Sequence, residues 1–473
     1  MRLRIGHDAL AEAVAWVARA LPTRPVIPIL AGLLLEAGEG GAANDLTLSC
    51  FDYDVSARVG AEAAVAEPGR ALVAGRLLAE IARSLPSRPV DIASDGDTVI
   101  LSSGSARFTL LTLPAEDFPA LPSLPPPAGT IDGGWFAAAV AQVAVAASRD
   151  DTLPMLTGVL VDIDGSDITL VATDRYRMAV RDLDWQPAQP GIRTSALIPA
   201  RTLADATKTM AVGTEVAISL AAQGQESRGQ EPRGQEPRRQ EAVASAGAGL
   251  AGGADGMNGL IGFDDGGRRL TTRLLGTEFV TYRSRFPREF GCRARLAAGP
   301  LGEAVKRVAL VADRESRLLL TFGAGELVIE TGSSEGSRAV ETIEAEFEGA
   351  EGFAIAFKPQ YLLDGIRAAA VGGRAGTARA DAEPTEAEPA DAAQVDGARG
   401  GAVRDGAVPD GAVRDGAVRD GAVRGDAEPT ETESATAESS AREGFVTLEF
   451  TTPGKPTVIT GSPGFKYLLA PMR

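Results

Sequence analysis

The stretch Leu10-Ala-Glu-Ala-Val-Ala-Trp-Val-Ala-Arg-Ala20 returns in altered form as Trp135-Phe-Ala-Ala-Ala-Val-Ala-Gln-Val-Ala-Val145 and again as Leu301-Gly-Glu-Ala-Val-Lys-Arg-Val-Ala-Leu-Val311. Each copy predicts an Ala-rich amphipathic helix. Apolar strands follow at Leu33 to Glu36, Gly158 to Asp162 and Leu318 to Phe322, and a short strand then leads into a second helix. Those second segments also match: Ala71-Leu-Val-Ala-Gly-Arg-Leu-Leu-Ala-Glu-Ile81, Ala196-Leu-Ile-Pro-Ala-Arg-Thr-Leu-Ala-Asp-Ala206 and Ala354-Ile-Ala-Phe-Lys-Pro-Gln-Tyr-Leu-Leu-Asp364. Three tandem copies predict a structural array, because an active site usually appears once while a scaffold is built by repetition.

At 473 residues the chain exceeds one ordinary core. Residues 221–259 open on a polar five-residue repeat around Gln-Glu-Pro-Arg-Gly and continue into Gly and Ala. Residues 371–443 repeat Asp-Gly-Ala-Val-Arg and hold 16 acidic against 8 basic residues. Neither can bury enough apolar surface to offset ordering entropy, so both read as disordered insertions. The remainder divides into domains at 1–127, 128–290 and 291–473, each of ordinary size once the insertions are set aside.

The net charge of −17 excludes attraction of nucleic acid by the mean field, so a DNA role needs a local basic surface. Arg76 and Arg83, Arg201 and Lys208, and Arg307 and Arg314 are each seven apart, which places each pair on one helix face. Two distant cysteines, Cys50 and Cys292, make no metal spacing and fit a reducing compartment. The N-terminus lacks an apolar signal-peptide region, and no run of eighteen apolar residues exists. A soluble, cytoplasmic protein is expected.

Little in the chain resembles catalytic machinery. His7 is the only histidine, at the mouth of the first helix. Asp162-Ile-Asp-Gly-Ser-Asp167 has its glycine too early for a calcium loop and reads as a tight turn between strands. Gly247-Ala-Gly-Leu-Ala-Gly252 matches the dinucleotide fingerprint only inside a low-complexity tract with no preceding strand. Asp52 and Asp54 alternate with Phe51, Tyr53 and Val55, the pattern of an exposed strand face. No cofactor and no metal site is expected. A carboxylate-based, metal-dependent enzyme using Asp52, Asp54, Asp162 and Asp164 is the remote alternative.

Four runs carry a family resemblance: Arg24-Pro-Val-Ile-Pro-Ile-Leu30, Arg107-Phe-Thr-Leu-Leu-Thr-Leu-Pro-Ala-Glu-Asp-Phe-Pro119, Val171-Ala-Thr-Asp-Arg-Tyr-Arg-Met-Ala-Val180 and Tyr467-Leu-Leu-Ala-Pro-Met-Arg473. In this order they resemble the bacterial sliding clamp family, the beta subunit of DNA polymerase III, and the Arg-Tyr-Arg form is similar to actinobacterial members. The resemblance implies an α+β fold of three tandem clamp domains, two helices plus antiparallel sheets each, and a non-catalytic processivity factor. It also implies a head-to-tail homodimer ring around double-stranded DNA, bound without regard to sequence. By resemblance Arg24 contacts the DNA backbone; Arg76, Arg83, Arg201 and Lys208 join it from helix spacing.

The resemblance further implies a pocket for short apolar peptides of the DNA polymerase III catalytic subunit, the clamp loader and other clamp-motif proteins. The matching positions are Thr173, Arg175, Tyr176 and Met178 with Leu468, Leu469, Ala470, Pro471 and Met472. The dimer seam would join Phe108 and Leu110 of one chain to Leu310 and Val311 of the other. Two departures fall in the pocket: Val280 stands where the family usually has proline, and Arg285 where an aliphatic residue lines the cleft. They favour a second possibility, a divergent clamp paralogue acting as an inhibitor-resistant copy or a decoy.

Overall fold

A computed structural model describes residues 1–38, 46–208, 210, 212–220, 259–313, 315–334, 336–372 and 444–472. The tracts expected to be disordered insertions lie outside the described residues, apart from Gly259, Val371 and Gly372 at their margins. The first connects two paired strands of a hairpin; the second connects a helix to the strand that follows it.

The chain writes one element order three times. The first repeat runs β1 (Arg2–Ile5), α1 (His7–Val17), β2 (Gly32–Ala37), β3 (Leu46–Phe51), β4 (Val55–Ala61), β5 (Ala63–Glu67), β6 (Gly69–Ala74), α2 (Gly75–Ser84), β7 (Val90–Asp95), β8 (Thr98–Ser103) and β9 (Ala106–Leu113). The second runs β10 (Pro127–Asp132), α3 (Gly133–Ala144), β11 (Gly158–Asp164), β12 (Asp167–Thr173), β13 (Arg177–Asp184), β14 (Gln186–Pro187), β15 (Arg193–Pro199), α4 (Ala200–Thr207), β16 (Glu215–Leu220), β17 (Leu260–Asp264) and β18 (Arg268–Arg273). The third runs β19 (Cys292–Ala297), α5 (Ala298–Val308), β20 (Leu318–Phe322), β21 (Glu326–Gly332), β22 (Arg338–Glu344), β23 (Glu346–Glu348), β24 (Phe353–Phe357), α6 (Pro359–Ala370), β25 (Phe445–Phe450), β26 (Thr457–Thr460) and β27 (Phe465–Leu469).

The first helices bury the same stripe. Leu10, Ala13, Val14 and Val17 of α1 correspond to Phe136, Ala139, Val140 and Val143 of α3 and to Leu301, Ala304, Val305 and Val308 of α5. This i, i+3, i+4, i+7 spacing puts four apolar side chains on one face, and the alanine in each set leaves room for a close neighbour. Each large member contributes about 1.5–3 kcal/mol by leaving water. The helices then pack in pairs, α1 with α2, α3 with α4 and α5 with α6. Asp132 caps α3 by accepting from the Trp135 backbone at 2.9 Å.

Antiparallel pairing continues from one repeat to the next. Strand β18 of the second repeat joins β4 of the first, with Leu270 opposite Ala57, to make one sheet of fourteen strands. Strand β27 of the third joins β13 of the second, with Leu468 opposite Met178, to make a sheet of nine. The other sheet among the described residues, β22-β21-β20-β24, belongs to the third repeat alone.

One local expectation is corrected. Residues 52–54 are a turn, not a strand face: Tyr53 has φ +72°, and the Asp52 carboxylate accepts from the backbone of Asp54 and Val55. Aspartate side chains make such local bonds readily, and they outcompete the extended conformation that alternation suggested. The Asp162–Asp167 run is the hairpin between β11 and β12, turning at Gly165 with φ +64°.

Gly365 marks the tightest approach between α6 and the last strands. A Cβ there would lie 2.6 Å from the Tyr467 ring, which is fully buried and whose hydroxyl donates to the Tyr361 carbonyl at 2.9 Å. Overpacking costs about 1–3 kcal/mol, against about 1 kcal/mol of helix propensity gained by alanine. Gly365→Ala is therefore expected to lower stability by about 1 kcal/mol, read as a lower urea midpoint with an unchanged slope.

Candidate functional site

Pairing of β13 with β27 creates the first candidate surface. Val171, Met178, Val180 and Tyr282 form a buried apolar cluster, walled by half-buried Leu160, Phe279, Val280, Phe286 and Leu468. Side chains alternate along β27, so Leu468 joins this cluster while Leu469 is wholly buried in the main core. Of the two adjacent leucines expected here, only Leu468 lines the cleft. Beyond β27 the tail keeps its hydrogen bonds: Ala470 donates to the Tyr176 carbonyl and Met472 to the Ala356 carbonyl, both at 2.8 Å. Ala470, Pro471 and Met472 stay half-buried along that path.

The turn from β12 to β13 shapes one end of the cleft. Thr173 is 4% exposed, and its hydroxyl donates to the Arg177 carbonyl at 2.7 Å and accepts from the Arg175 backbone. Asp174 accepts from the backbone of Tyr176 and Arg177 and from Arg177 Nε at 2.9 Å. Arg177 also reaches Asp364 at 2.6 Å and the Tyr467 hydroxyl, with its guanidinium 4.3 Å above the Tyr361 ring. Burial first, only partly opposed by Arg177, pushes the Tyr467 hydroxyl above its ordinary value. Arg175 and Tyr176 remain exposed at the turn.

On the other side, the Tyr282 hydroxyl donates to Asp162 at 2.8 Å, and Arg283 reaches the same carboxylate oxygen at 3.2 Å. Burial, then the bond to Asp162, pushes the Tyr282 hydroxyl up to about 12. Val280 is half-buried in the wall, whereas Arg285 is exposed and its side chain donates a long bond to the Thr281 carbonyl. The four aspartates of the enzyme alternative are separated by these roles: Asp52 holds a turn, Asp54 faces Arg273 at 3.9 Å, Asp162 anchors Tyr282, and Asp164 pairs with Arg193. Sequence reading missed Leu160, Val171, Val180, Phe279, Tyr282 and Phe286; the unbroken apolar runs Leu170-Val171-Ala172 and Met178-Ala179-Val180, which mark strands covered on both faces, are the signal that flags the two valines.

The second surface is the set of helix-face cations. Arg24, in the loop after α1, and Arg76, Arg83, Arg201 and Lys208 are all exposed. Arg76 donates to the Leu21 and Pro22 carbonyls, bracing the loop that carries Arg24. Lys208 pairs with Asp205 on its own helix. Arg307 turns instead to Glu341 on β22, and Arg314 lies outside the described residues. Arg19, which sequence reading passed over, shares a 190 Å³ depression with Arg201, Asp52 and Asp205 where the first two repeats meet.

The third surface is a pair of open strand edges. Residues 106–111 of β9 pair on one side only, and β22 pairs only with β21. On β9, Phe108 is half-buried and Leu110 is 3% exposed in the core, so the apolar side chain facing water is Leu111, at 77%. Beside β22, Leu310 is 84% exposed and Val311 half-buried in the single turn after α5, with Val340 exposed on the strand itself.

Asp313 ties that turn to the β21–β22 hairpin. Its carboxylate accepts from the Ser334 backbone and from the hydroxyls of Ser316 and Ser334, which hold it well below the usual carboxylate range. A depressed carboxylate stabilises the fold fully above its unfolded pKa and loses that contribution progressively as pH falls from there through the folded value. Asp313→Asn should lower the thermal midpoint at neutral pH by an amount that stays constant down to pH about 5 and shrinks progressively in stronger acid.

Comparison with known proteins fits this architecture. Residues 1–122, 130–280 and 283–371 match, in order, the N-terminal, central and C-terminal domains of the DNA polymerase III beta subunit. The chain is 48% identical over 368 residues to the beta sliding clamp of Streptomyces coelicolor, covering 78% of this chain and 88% of that one. It is 42% identical over 348 residues to that of Micrococcus luteus, covering 74% and 100%, and 41% identical over 366 residues to the beta sliding clamp homolog GriR of Streptomyces muensis, covering 77% and 88%. The fold is shared with the Bacillus subtilis DNA polymerase sliding clamp at a TM-score of 0.70 and 21% identity, over 100% of this chain and 99% of that one. With three clamp domains in order and close relatives over most of its length, the chain belongs to the beta sliding clamp family, the DNA sliding clamps of bacterial replication.

Proposed function

We propose that two copies close head to tail into a ring around duplex DNA. The chain then acts as a non-catalytic processivity factor tethering the DNA polymerase III catalytic subunit, the clamp loader and other partners through the β13–β27 cleft. One observation carries the reading. In element order, β4, β13 and β22 are equivalent, and so are β9, β18 and β27; β4 is taken by β18 and β13 by β27, which leaves β22 and β9 as the unmatched pair. Unpaired strand edges seek partners, and here each chain offers both halves of the same junction. The seam would bring Phe108 and Leu111 of one chain to Leu310, Val311 and Val340 of the other, with Leu110 holding β9 from the core side.

A ring grips DNA by topology and must slide, so its inner surface has to touch phosphates and ignore bases. Exposed Arg24, Arg83 and Arg201 suit that role, Lys208 shares it with Asp205, and Arg76 supports it by holding the Arg24 loop. Nothing in this action requires a reacting group.

Light scattering across a dilution series should give twice the 48.8 kDa chain mass, and Leu111→Asp with Leu310→Asp should give folded monomer. A wild-type chain that stays monomeric overturns the ring and leaves a decoy that occupies clamp partners. On a short linear duplex, which the ring can thread and leave reversibly, Arg24→Ala with Arg83→Ala should flatten the dependence of log affinity on log salt by about two, near 0.9 for each phosphate no longer neutralised.

A further inference from the structure

We infer that opening and closing of the ring bends each chain at its first internal junction, where β18 meets β4, while the second, where β27 meets β13, moves as one body. This rests on the ring proposed above. The two junctions share a frame. Each ladder joins five residues of one strand to five of the other. Backbone bonds continue both ladders, from Gly60 to Gly267 and Arg273 to Asp54 at the first, and from Asp182 to Gly464 and Ala470 to Tyr176 at the second. What lies behind the ladders differs. At the second junction the side-chain bonds are buried. Gln142 on α3, 3% exposed, donates to the Ala368 carbonyl at 2.8 Å and to the Ser462 hydroxyl at 3.0 Å. Arg181 on β13, equally covered, donates to the same hydroxyl at 3.3 Å and to the Pro463 carbonyl. With Arg177, which reaches Asp364 and Tyr467, these groups tie α3 and β13 to α6 and to the turn between β26 and β27. Rotating one repeat against the other would strip them of partners where water cannot enter to replace the bonds.

The first junction carries its ion pairs at the surface. Arg268 reaches Glu12, and Arg273 reaches the Tyr53 carbonyl at 2.9 Å and Asp54 at 3.9 Å. Water can take the place of either partner as the repeats move, so such pairs resist rotation weakly. Helix packing differs in the same sense. At the second junction α3 packs on α6, whereas at the first the 190 Å³ depression lies between the end of α1 and the start of α4. Arg19, Arg201 and Asp52 line it and form no ion pair among the described residues. Next to it a gap of 10 Å³ remains between Trp16, Ala206, Met210, Phe263 and Leu270. A charge-lined, loosely filled space can narrow or widen without breaking close-packed contacts, which a hinge between rigid bodies requires. The second and third repeats thus form one stiff body, joined to the first repeat by a compliant joint.

The test uses the full-length protein carrying Cys292→Ser, because Cys50 is wholly buried and escapes labelling. Spin labels are placed on exposed positions through Glu80→Cys with Asp167→Cys across the first junction, and Asp167→Cys with Lys455→Cys across the second. Labelled chain is mixed with excess unlabelled chain so that pulsed electron resonance reads distances within one copy. The ring is then compared with the seam-broken Leu111→Asp, Leu310→Asp monomer. The distance across the first junction is expected to shift and broaden in the monomer, and the distance across the second to stay unchanged. Adding Gln142→Ala and Arg181→Met should broaden the second distance as well. A shift confined to the second junction, equal shifts at both, or no shift at either would overturn the hinge and leave the ring standing. A second distance that stays narrow without Gln142 and Arg181 would overturn the assignment of stiffness to those residues. A wild type that stays monomeric by light scattering would remove the ring and the inference with it.

Discussion

Antiparallel pairing between the third strand after one repeat's first helix and the last strand of the next repeat is the constraint on which everything else rests. Each repeat ends in a strand whose backbone groups need partners on both sides, and the repeat itself supplies only one. Where β18 meets β4 and β27 meets β13 the ladder satisfies those groups and fuses the sheets. The same pairing brings Leu468 beside Met178 and carries the tail past Tyr176. The cleft is thus a by-product of solving an edge problem: it exists only where two repeats have joined.

Arg177 shows how the junction and the cleft share one energetic hub. Its guanidinium links Asp174 of its own turn to Asp364 on α6 and Tyr467 on β27, so three elements from two repeats converge on a largely buried charge. Removing one partner from such a network typically costs roughly 3–5 kcal/mol, because the remaining charge is left uncompensated. Neighbouring Arg175 has the opposite character: exposed, unpaired and on strained backbone. Within three residues the chain places one arginine that holds the junction together and one that faces whatever approaches it.

Much of this was legible before any coordinates. The recurrent helix stripe at Leu10, Phe136 and Leu301 is a local periodicity, and helices and strands follow local periodicity when their apolar face is buried. The hairpin at Gly165 was equally readable. Local pattern failed at Asp52 and Asp54, where an aspartate bonded to its own backbone produced a turn inside an alternating run. It also could not tell Leu468 from Leu469, or Leu110 from Leu111, because which face of a strand meets the core depends on register with a distant partner.

By itself the sequence determined the threefold repetition, the helix faces and the family, because these are written in short-range spacing and in motifs that survive without neighbours. Tertiary structure alone decided which edges are consumed and which stay open, which arginines are neutralised and which are free, and how Tyr282 reaches Asp162 across 120 positions of chain. Those outcomes depend on pairing between segments far apart in sequence, and no local property of either segment encodes the geometry at which they meet.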